Sequence, residues 1–252
     1  MSYILALDTA SDYCSVALVN PSEPSNQLLE IRRQAPRQHT QLLLPMVDEL
    51  LNQANVARKD LIAIAFGAGP GSFTGLRICF AVVQGLAFGL GIPVIPVSTL
   101  AAMANAQHQQ LFDRPLDQSL SEDALYFSCL DARMNQVYWG AYRFDGSELV
   151  ALQDDALDDP AIALEKMQTL IKQQQGQAKL YCSGPGWHYP ELNAFSQQAE
   201  GLDQSIEPWA ADVLNIACKD WAAGVAENIR QVQPVYLRNE ISWEKRKRIR
   251  QP

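Results

Sequence analysis

The fold of this chain is decided by residues 61–90, which read LIAIAFGAGPGSFTGLRICFAVVQGLAFGL. The uninterrupted apolar run Leu61–Phe66 predicts a buried strand. A glycine-rich turn leads from it to Ser72, which can cap a helix that runs to about Leu90 and ends at Gly91. A buried strand joined by a short turn to a helix indicates a sheet covered by helices.

The segments on both sides extend this pattern into a first lobe. A polar turn at residues 8–12 separates two apolar runs, which predicts a β-hairpin. Apolar residues recur at helical spacing in His39–Leu51, so a helix is expected there, with Pro45 in its second turn. A hairpin that leads into alternating strands and helices predicts a mixed sheet. The predicted strands are Tyr3–Leu7, Cys14–Val19, Leu28–Arg32, Leu61–Phe66 and Ile92–Val97, and a further helix begins at Ser98.

A second lobe is predicted after a polar stretch at about residues 107–123. We therefore divide the chain into a first lobe at 1–106, a smaller second lobe at 107–243 and a basic tail at 244–252. The predicted elements of the second lobe are the strands Leu125–Leu130, Val137–Phe144 and Lys179–Cys182, the helices Pro160–Gln175 and Asp212–Val225, and the extended piece Val235–Arg238.

Charge is unevenly distributed along the chain. The net charge is −8, although the last nine positions hold five basic residues, Lys245, Arg246, Lys247, Arg248 and Arg250. The acidic body would repel phosphate backbones, which argues against a stand-alone nucleic-acid-binding protein. The tail is expected to be a solvated, disordered terminus, but its charge would also suit a contact with RNA.

Composition and the first residues predict a cytoplasmic protein. The five cysteines are an odd number without a CxxC pair, as expected of small buried side chains in a reducing compartment. The start, Met1–Asp8, has no basic region, so no signal peptide is predicted. The most apolar stretch, Leu76–Val97, is interrupted by glycine, proline and polar residues, so no membrane span is expected.

The glycine-rich turn does not match two common nucleotide-binding motifs. GxGxxG patterns starting at Gly67 or Gly69 fail, because their sixth positions are Ser72 and Thr74. A phosphate-binding loop would also need a lysine before its Ser or Thr, and the turn has none. A tight turn that orients a buried helix is the better interpretation.

Asp8 and Thr9, at the bend of the first hairpin, resemble the first phosphate loop of the actin, sugar-kinase and Hsp70-like ATPase folds. A carboxylate there helps to hold a metal–phosphate group in those folds. The second phosphate hairpin should read Asp-x-Gly, but Asp131-Ala132-Arg133 stands in its place, and Arg133 leaves little room for a phosphate. Residues 183–186, SGPG, resemble the remnant of an adenosine loop. The fold is therefore expected with its ATP chemistry eroded.

The three histidines, His39, His108 and His188, are scattered along the chain. A catalytic metal site usually has about three protein ligands, so no metal site is predicted. No serine lies in a GxSxG elbow, which argues against a hydrolase. His39 is expected to cap or pack the start of a helix.

The helix predicted over Ser72–Leu90 is apolar on nearly every side, and such a helix has to be covered on every side. One side can meet its own sheet. The other side should meet either the helix His39–Leu51 or a partner chain, and the residues alone leave both alternatives open.

Six short motifs carry a family resemblance. The most specific is GPGSFTGLR at residues 69–77, and PVYLRN at 234–239 supports it independently. The other four are LALDTA at 5–10, RQHT at 37–40, VSTL at 97–100 and DARM at 131–134. In order and spacing they resemble the bacterial TsaB (YeaZ) family from Ile4 to about Trp243, and the basic residues 245–250 depart from that pattern.

The resemblance implies an α/β protein with the two-lobed actin, sugar-kinase and Hsp70-ATPase-like (ASKHA) fold, in which helices flank mixed sheets. It implies a role in making N6-threonylcarbamoyladenosine (t6A) at position 37 of tRNAs that read codons starting with A. A paralogue with a two-histidine metal motif, TsaD, would perform the threonylcarbamoyl transfer, and the ATPase TsaE would complete the complex. The chain would pair with TsaD through helices of its first domain, and would form a homodimer through the same surface when alone.

On this resemblance the chain is expected to be a non-catalytic subunit without metal ligands, in which Asp8 and Thr9 are a remnant of the phosphate loop. No cofactor is expected to bind tightly, and weak binding of ATP or ADP, between the lobes or at a subunit interface, stays open. tRNA would be reached only through the complex. From the apolar stripes, the hypothetical partner interface comprises His39, Leu42, Leu43, Met46, Leu50, Phe73, Arg77, Phe80, Gln84 and Phe88.

Two other functions compete with this one. An ATP-dependent kinase or carbamoyl transferase that uses Asp8 would bind Mg-ATP stoichiometrically as a lone chain, and the missing glycine in the second hairpin argues against it. A peptidase would need a nucleophile beside a base, and the scattered histidines argue against that arrangement.

Overall fold

The computed structural model describes residues 2–23, 28–112, 124–146, 148–174 and 178–238, which form two α/β lobes. The first half of the chain contains β1 (Tyr3–Asp8), β2 (Tyr13–Val19), β3 (Leu29–Gln34), α1 (His39–Ala54), β4 (Leu61–Gly69), α2 (Phe73–Leu90), β5 (Val94–Ser98) and α3 (Thr99–Phe112). The second half contains β6 (Ala124–Arg133), β7 (Gln136–Asp145), β8 (Glu148–Ala151), β9 (Ala156–Asp158), α4 (Pro160–Gln173), β10 (Lys179–Ser183), α5 (Pro190–Ser196), β11 (Gly201–Asp203) and α6 (Ala210–Ala222).

The first sheet has the strand order β3-β2-β1-β4-β5. β1, β2 and β3 pair antiparallel, whereas β4 pairs parallel with β1 and with β5, so the predicted mixed sheet is confirmed. Alternate residues of β1 face opposite sides of the sheet. Leu5 and Leu7 belong to the core under α1 and α2, whereas Ile4 and Ala6 belong to the core under α6.

The second sheet has the order β11-β10-β6-β7-β8, and β9 pairs with β7. One of its faces packs against α4 and α5, where Met167 and Phe195 share a core with Phe127. The opposite face meets α3, where Met103 shares a core with Tyr126. α3 therefore packs on both sheets and is shared by the two lobes.

The structure corrects the predicted division of the chain at residue 106. α3 runs without interruption to Phe112, and α6, which was expected in the second lobe, packs on β1, β2, β4 and β5 of the first. Val213 and Leu214 of α6 are fully buried there. The chain returns to the first lobe after β11, and an amphipathic helix carries no local signal of which sheet it will cover. The predicted tail at 244–252 lies outside the described residues.

The ends of α2 follow the prediction. The Ser72 hydroxyl accepts a hydrogen bond from the Gly75 backbone N–H at 3.2 Å, as an N-cap does. Gly91 ends the helix in the left-handed region, with φ of 67°. Pro45 lies inside α1, which is assigned as one helix of 16 residues.

Candidate functional site: the interlobe cleft and the outer face of α2

A cavity of about 680 Å³ lies between the two lobes. The first lobe contributes the loop after β1 and the first turn of α2. The second lobe contributes the tip of the β6–β7 hairpin, and Val235–Arg238 form a further wall. An ATPase of the predicted fold would hold phosphates in this cleft, so its walls show whether the chain can do the same.

Asp8 does not line the cavity and is fully buried at the end of β1. Its Oδ1 accepts a hydrogen bond from the Ala10 backbone N–H at 2.9 Å, and its Oδ2 has no hydrogen-bond partner among the described residues. A Cβ added to Gly67 would overlap Oδ2, so this oxygen lies against the backbone of β4. Burial, reinforced by the nearby charge of Glu207, raises the pKa of Asp8 to about 8. The carboxyl is therefore largely neutral at pH 7 and poorly suited to hold a metal–phosphate group.

Thr9 joins the end of β1 to α2. Its Oγ1 donates a hydrogen bond to the Gly75 carbonyl at 2.8 Å. A Cβ on Gly75 would overlap the Thr9 carbonyl, so the strand and the helix touch backbone to backbone. Thr9 is thus used in packing and does not point a hydroxyl towards a ligand.

The β6–β7 hairpin occupies the place of the second phosphate loop but is built differently. Arg133, Met134 and Asn135 have φ values of 63°, 55° and 57°, a left-handed run without a glycine. Asp131 accepts a hydrogen bond from the Arg133 backbone N–H at 2.8 Å and forms an ion pair with its guanidinium at 3.2 Å. The Arg133 side chain lines the cavity where a glycine would leave space for phosphate.

The residues that line the cavity do not provide the groups that would hold a metal–nucleotide tightly. No three His, Cys, Asp or Glu side chains of the described residues are grouped to hold a metal ion. Glu207, in the loop before α6, lines the cavity, and burial raises its pKa. The sequence analysis missed Glu207, because it is nearly 200 positions from Asp8 and belongs to no motif.

The histidines make structural contacts. His39 Nε2 lies 2.9 Å from the Ser11 carbonyl, which ties α1 to the turn after β1 and confirms a packing role at the helix start. His108 stacks on Phe144 at 3.4 Å, and burial lowers its pKa to about 4. His188 Nδ1 lies 2.9 Å from the Pro185 carbonyl of its own turn. None of these contacts pairs a histidine with a nucleophile, so they give no support to a peptidase.

The outer face of α2 is open to solvent. The side chains of Phe73 and Phe88 are 45% and 64% exposed, and Arg77 and Gln84 are exposed between them. Phe80 is half-buried against Phe66, with ring centroids 5.8 Å apart. The described part of the chain, α1 included, therefore leaves these four exposed side chains uncovered. The buried face consists of Gly75, Leu76, Cys79, Val83 and Ala87.

By length and composition α2 could also cross a membrane, and it is the one helix in the described part of the chain for which this holds. Its buried residues form part of the core over the first sheet, as in a core helix of a folded domain.

The structure corrects the predicted interface on α1. His39 is buried, and Leu43, Met46 and Leu50 have no exposed surface at all, so they cannot contact a partner in this conformation. Leu42 is half-buried. The exposed large apolar residue of α1 is Leu44, at 41%, which lies at the flank of the apolar stripe and was not part of the predicted interface.

Two arginines lie over the exposed phenylalanines of α2. The Arg77 guanidinium stands 3.8 Å from the Phe73 ring centre, and Arg230 stands 5.4 Å from that of Phe88. Tyr236 packs against Phe73 with ring centroids 5.4 Å apart. The outer face of α2 is thus apolar, with a positively charged side chain beside each exposed phenylalanine.

Comparison with known proteins places the chain in a family. The family model described as "TsaD: tRNA N6-adenosine threonylcarbamoyltransferase" matches residues 31–242. The tRNA threonylcarbamoyladenosine biosynthesis protein TsaB of Escherichia coli (strain K12) is 36% identical over 244 residues, which cover 96% of this chain and 97% of that protein. The chain belongs to the TsaB (YeaZ) family. The TsaB protein of Haemophilus influenzae is 34% identical over 254 residues and aligns over 96% of both proteins.

A solved structure of the same family confirms the fold. YeaZ from Pseudomonas aeruginosa superposes with a TM-score of 0.75 at 36% identity, covering 94% of this chain and 100% of that one. The predicted two-lobed α/β fold, with helices flanking mixed sheets, is therefore confirmed as the fold of this family. The family resemblance read from the six motifs is confirmed as well.

Proposed function

We propose that this chain is a non-catalytic partner subunit in the synthesis of t6A at position 37 of tRNAs that read codons starting with A. TsaB relatives from two organisms carry the name tRNA threonylcarbamoyladenosine biosynthesis protein. In this proposal the paralogue TsaD transfers the threonylcarbamoyl group and is activated by this chain. The ATPase TsaE completes the complex, which works in the cytoplasm.

The observation that carries the proposal is the uncovered apolar face of α2. Full burial of a phenylalanine stabilises an interface by about 1.5–3 kcal/mol. Burial of Phe73 and Phe88 by a partner would therefore contribute substantially to the free energy of binding. Exposed apolar patches of this kind mark protein-contact sites. The proposed interface is therefore Phe73, Arg77, Phe80, Gln84 and Phe88, with Leu42 at its edge. A second copy of the chain would use the same face when TsaD is absent.

The cleft supports the non-catalytic part of the proposal. Asp8 is buried and largely neutral, Thr9 is used in packing, and Arg133 lines the cavity where a second phosphate loop would have its glycine. We propose that no nucleotide binds tightly to the lone chain and that any ATP or ADP binds weakly or at a subunit interface. The net charge of −8 supports contact with tRNA only through the complex.

Reconstitution tests the proposal. tRNA, threonylcarbamoyl-AMP, TsaD and TsaE are combined with or without the chain, and t6A is counted by nucleoside mass spectrometry. We expect modification to depend on the chain, to persist with Asp8→Asn, and to be lost with Phe88→Asp because a carboxylate is buried at the interface. Ile162→Asp is the matched control, because Ile162 is 45% exposed on α4 of the other lobe.

The result that contradicts the proposal is equally concrete. Modification that does not need the chain, or that the chain performs unaided, would remove the partner role. Loss of activity with Asp8→Asn in a folded chain that still binds TsaD would reopen the enzyme interpretation.

A further inference from the structure

The last ten described residues run from one lobe to the other. This segment, residues 229–238, is called the strap below. It starts in the first lobe, where Ile229 and Val232 are buried in the core under α1 and α2. The Val235 backbone N–H then donates a hydrogen bond to the Ala68 carbonyl at 2.7 Å. A Cβ on Gly69 would lie 2.8 Å from the Val235 carbonyl, so the end of β4 holds the strap backbone to backbone.

The middle of the strap lies on the first turn of α2. The Tyr236 ring packs on Phe73, and the Arg77 guanidinium stands 5.7 Å from the Tyr236 ring centre. The strap therefore contacts the same turn that carries one end of the exposed face of α2.

The end of the strap is fixed to the second lobe. The Arg238 guanidinium donates hydrogen bonds to the Gln136 Oε1 at 2.6 Å and to the Arg133 carbonyl at 3.3 Å. It also lies 3.1 Å from the Met134 sulfur. All three acceptors belong to the β6–β7 hairpin, whose left-handed run holds the Arg133 backbone in a conformation that few non-glycine residues adopt.

Two other connections join the lobes: α3, which lies away from the cavity, and the loop from β11 to α6, whose Glu207 lines it. α3 packs on both sheets, and Ser98 at its N-terminus donates a hydrogen bond to Asp155 of the β8–β9 loop at 2.5 Å. Neither Ser98, Asp155 nor any residue of α3 lines the cavity, whereas Val235–Arg238 do. The lobes are thus joined covalently by α3 and by the β11–α6 loop, and the strap adds a contact along the cleft through side-chain hydrogen bonds to the second lobe. Covalent crossings with a non-covalent strap are an arrangement suited to a hinge and a latch.

We propose that the strap is a latch that holds the two lobes at a fixed angle over the cleft, with Arg238 as the group that closes it. Breaking the contact of Arg238 with the hairpin frees the strap from the second lobe and lets the cleft widen about the two covalent crossings, α3 and the β11–α6 loop. Because Tyr236 lies on the first turn of α2, the latch also connects the outer face of that helix to the width of the cleft. The proposal concerns the lone chain and stands independently of the proposed function.

The test is the distance between the lobes in the full-length chain. Spin labels are placed at Asn52→Cys on α1 and Gln168→Cys on α4, both exposed, in a Cys218→Ala background that leaves four buried cysteines. Pulsed electron resonance then gives the distribution of label distances. We expect Arg238→Ala to broaden this distribution and shift its mean. Gln136→Ala removes the acceptor of the shortest Arg238 hydrogen bond, and it should broaden and shift the distance distribution in the same way.

Arg230→Ala is the matched control. It removes the same charge from the same segment, but Arg230 lies over Phe88 of the first lobe. We expect it to leave the distribution unchanged, and we expect the double variant Arg238→Ala/Gln136→Ala to behave like either single variant. Distributions of the Arg238 and Gln136 variants that match the unsubstituted chain, or an equal change with Arg230→Ala, would overturn the latch.

Discussion

α1 and α2 cover the same face of the first sheet, but they use it differently. α1 buries a stripe of large side chains, including Leu43, Met46 and Leu50. α2 buries a face that includes Gly75, Cys79 and Ala87 and leaves two phenylalanines in solvent. The apolar composition of a helix indicates that its surface should be buried. The sizes of the residues on its two sides indicate which side packs on the sheet of its own chain.

The small residues of α2 allow its close approach to the sheet. Gly75 touches the Thr9 carbonyl, and the Cys79 sulfur lies 3.6 Å from the Leu7 carbonyl. A larger side chain could not fit at Gly75, although Leu76 and Val83 also belong to the buried face. α2 therefore packs closely on its own sheet and leaves Phe73 and Phe88 on its uncovered side.

The largest expected effect is the difference in free energy of unfolding between a substitution on α1 and a substitution on α2. Leu43→Ala on α1 should lower the free energy of unfolding by about 2–5 kcal/mol, because it leaves a cavity in the core. Phe88→Ala on α2 should change it by less than about 0.5 kcal/mol, as for a surface residue. Urea unfolding followed by circular dichroism at low protein concentration measures both. A similar loss for the two variants would show that the outer face of α2 is buried in the lone chain.

The next prediction compares glycine substitutions on the two sides of α2. Gly85 has nothing within 4 Å of an added Cβ, so Gly85→Ala should stabilise the chain by up to about 1 kcal/mol through helix propensity. Gly75→Ala should destabilise it, because the new Cβ overlaps backbone that cannot move aside. Thermal unfolding compares the two variants. Equal shifts in Tm would contradict the close backbone contact between α2 and β1.

The last prediction concerns the pH dependence of stability that Asp8 gives the chain from its buried position at the end of β1. Its pKa is about 8 in the folded chain and near 3.8 when unfolded, so the folded state binds the proton more tightly between these values. The free energy of unfolding should therefore fall as pH rises from about 4 to 8, by at most about 1.4 kcal/mol per pH unit. Asp8→Asn should remove this dependence, since an amide does not ionise.

The control for this pH dependence is Asp12→Asn, which changes an exposed carboxyl in the next turn. It should leave the slope of stability against pH as it is in the unsubstituted chain. Urea unfolding at pH 5, 6, 7 and 8 gives the slopes. A slope that survives in Asp8→Asn would mean that another buried carboxyl, such as that of Asp212 with its pKa raised to about 7, dominates.

Local patterns predicted much of this molecule, because their causes are local. The Ser72 cap, the Gly91 ending and the first hairpin all follow from the chemistry of neighbouring residues. The exposed residues Phe73, Arg77, Gln84 and Phe88 are four, seven and four positions apart and so share one side of a helix. The same periodicity wrongly placed the buried stripe of α1 in the interface, because periodicity identifies a face without showing what covers it.

The sequence by itself determined the longer strands and helices, the family and the loss of the phosphate-loop pattern, since each depends on residue types at short spacing. It did not predict the short elements β8, β9, α5 and β11. Only the tertiary structure decided which lobe receives α6, which helix keeps its apolar face uncovered, and how Asp8 is buried against β4. It alone brought Arg238 to a hairpin about 100 positions earlier in the chain. These are contacts between distant segments, and their geometry depends on the packing of whole sheets, which short sequence patterns do not encode.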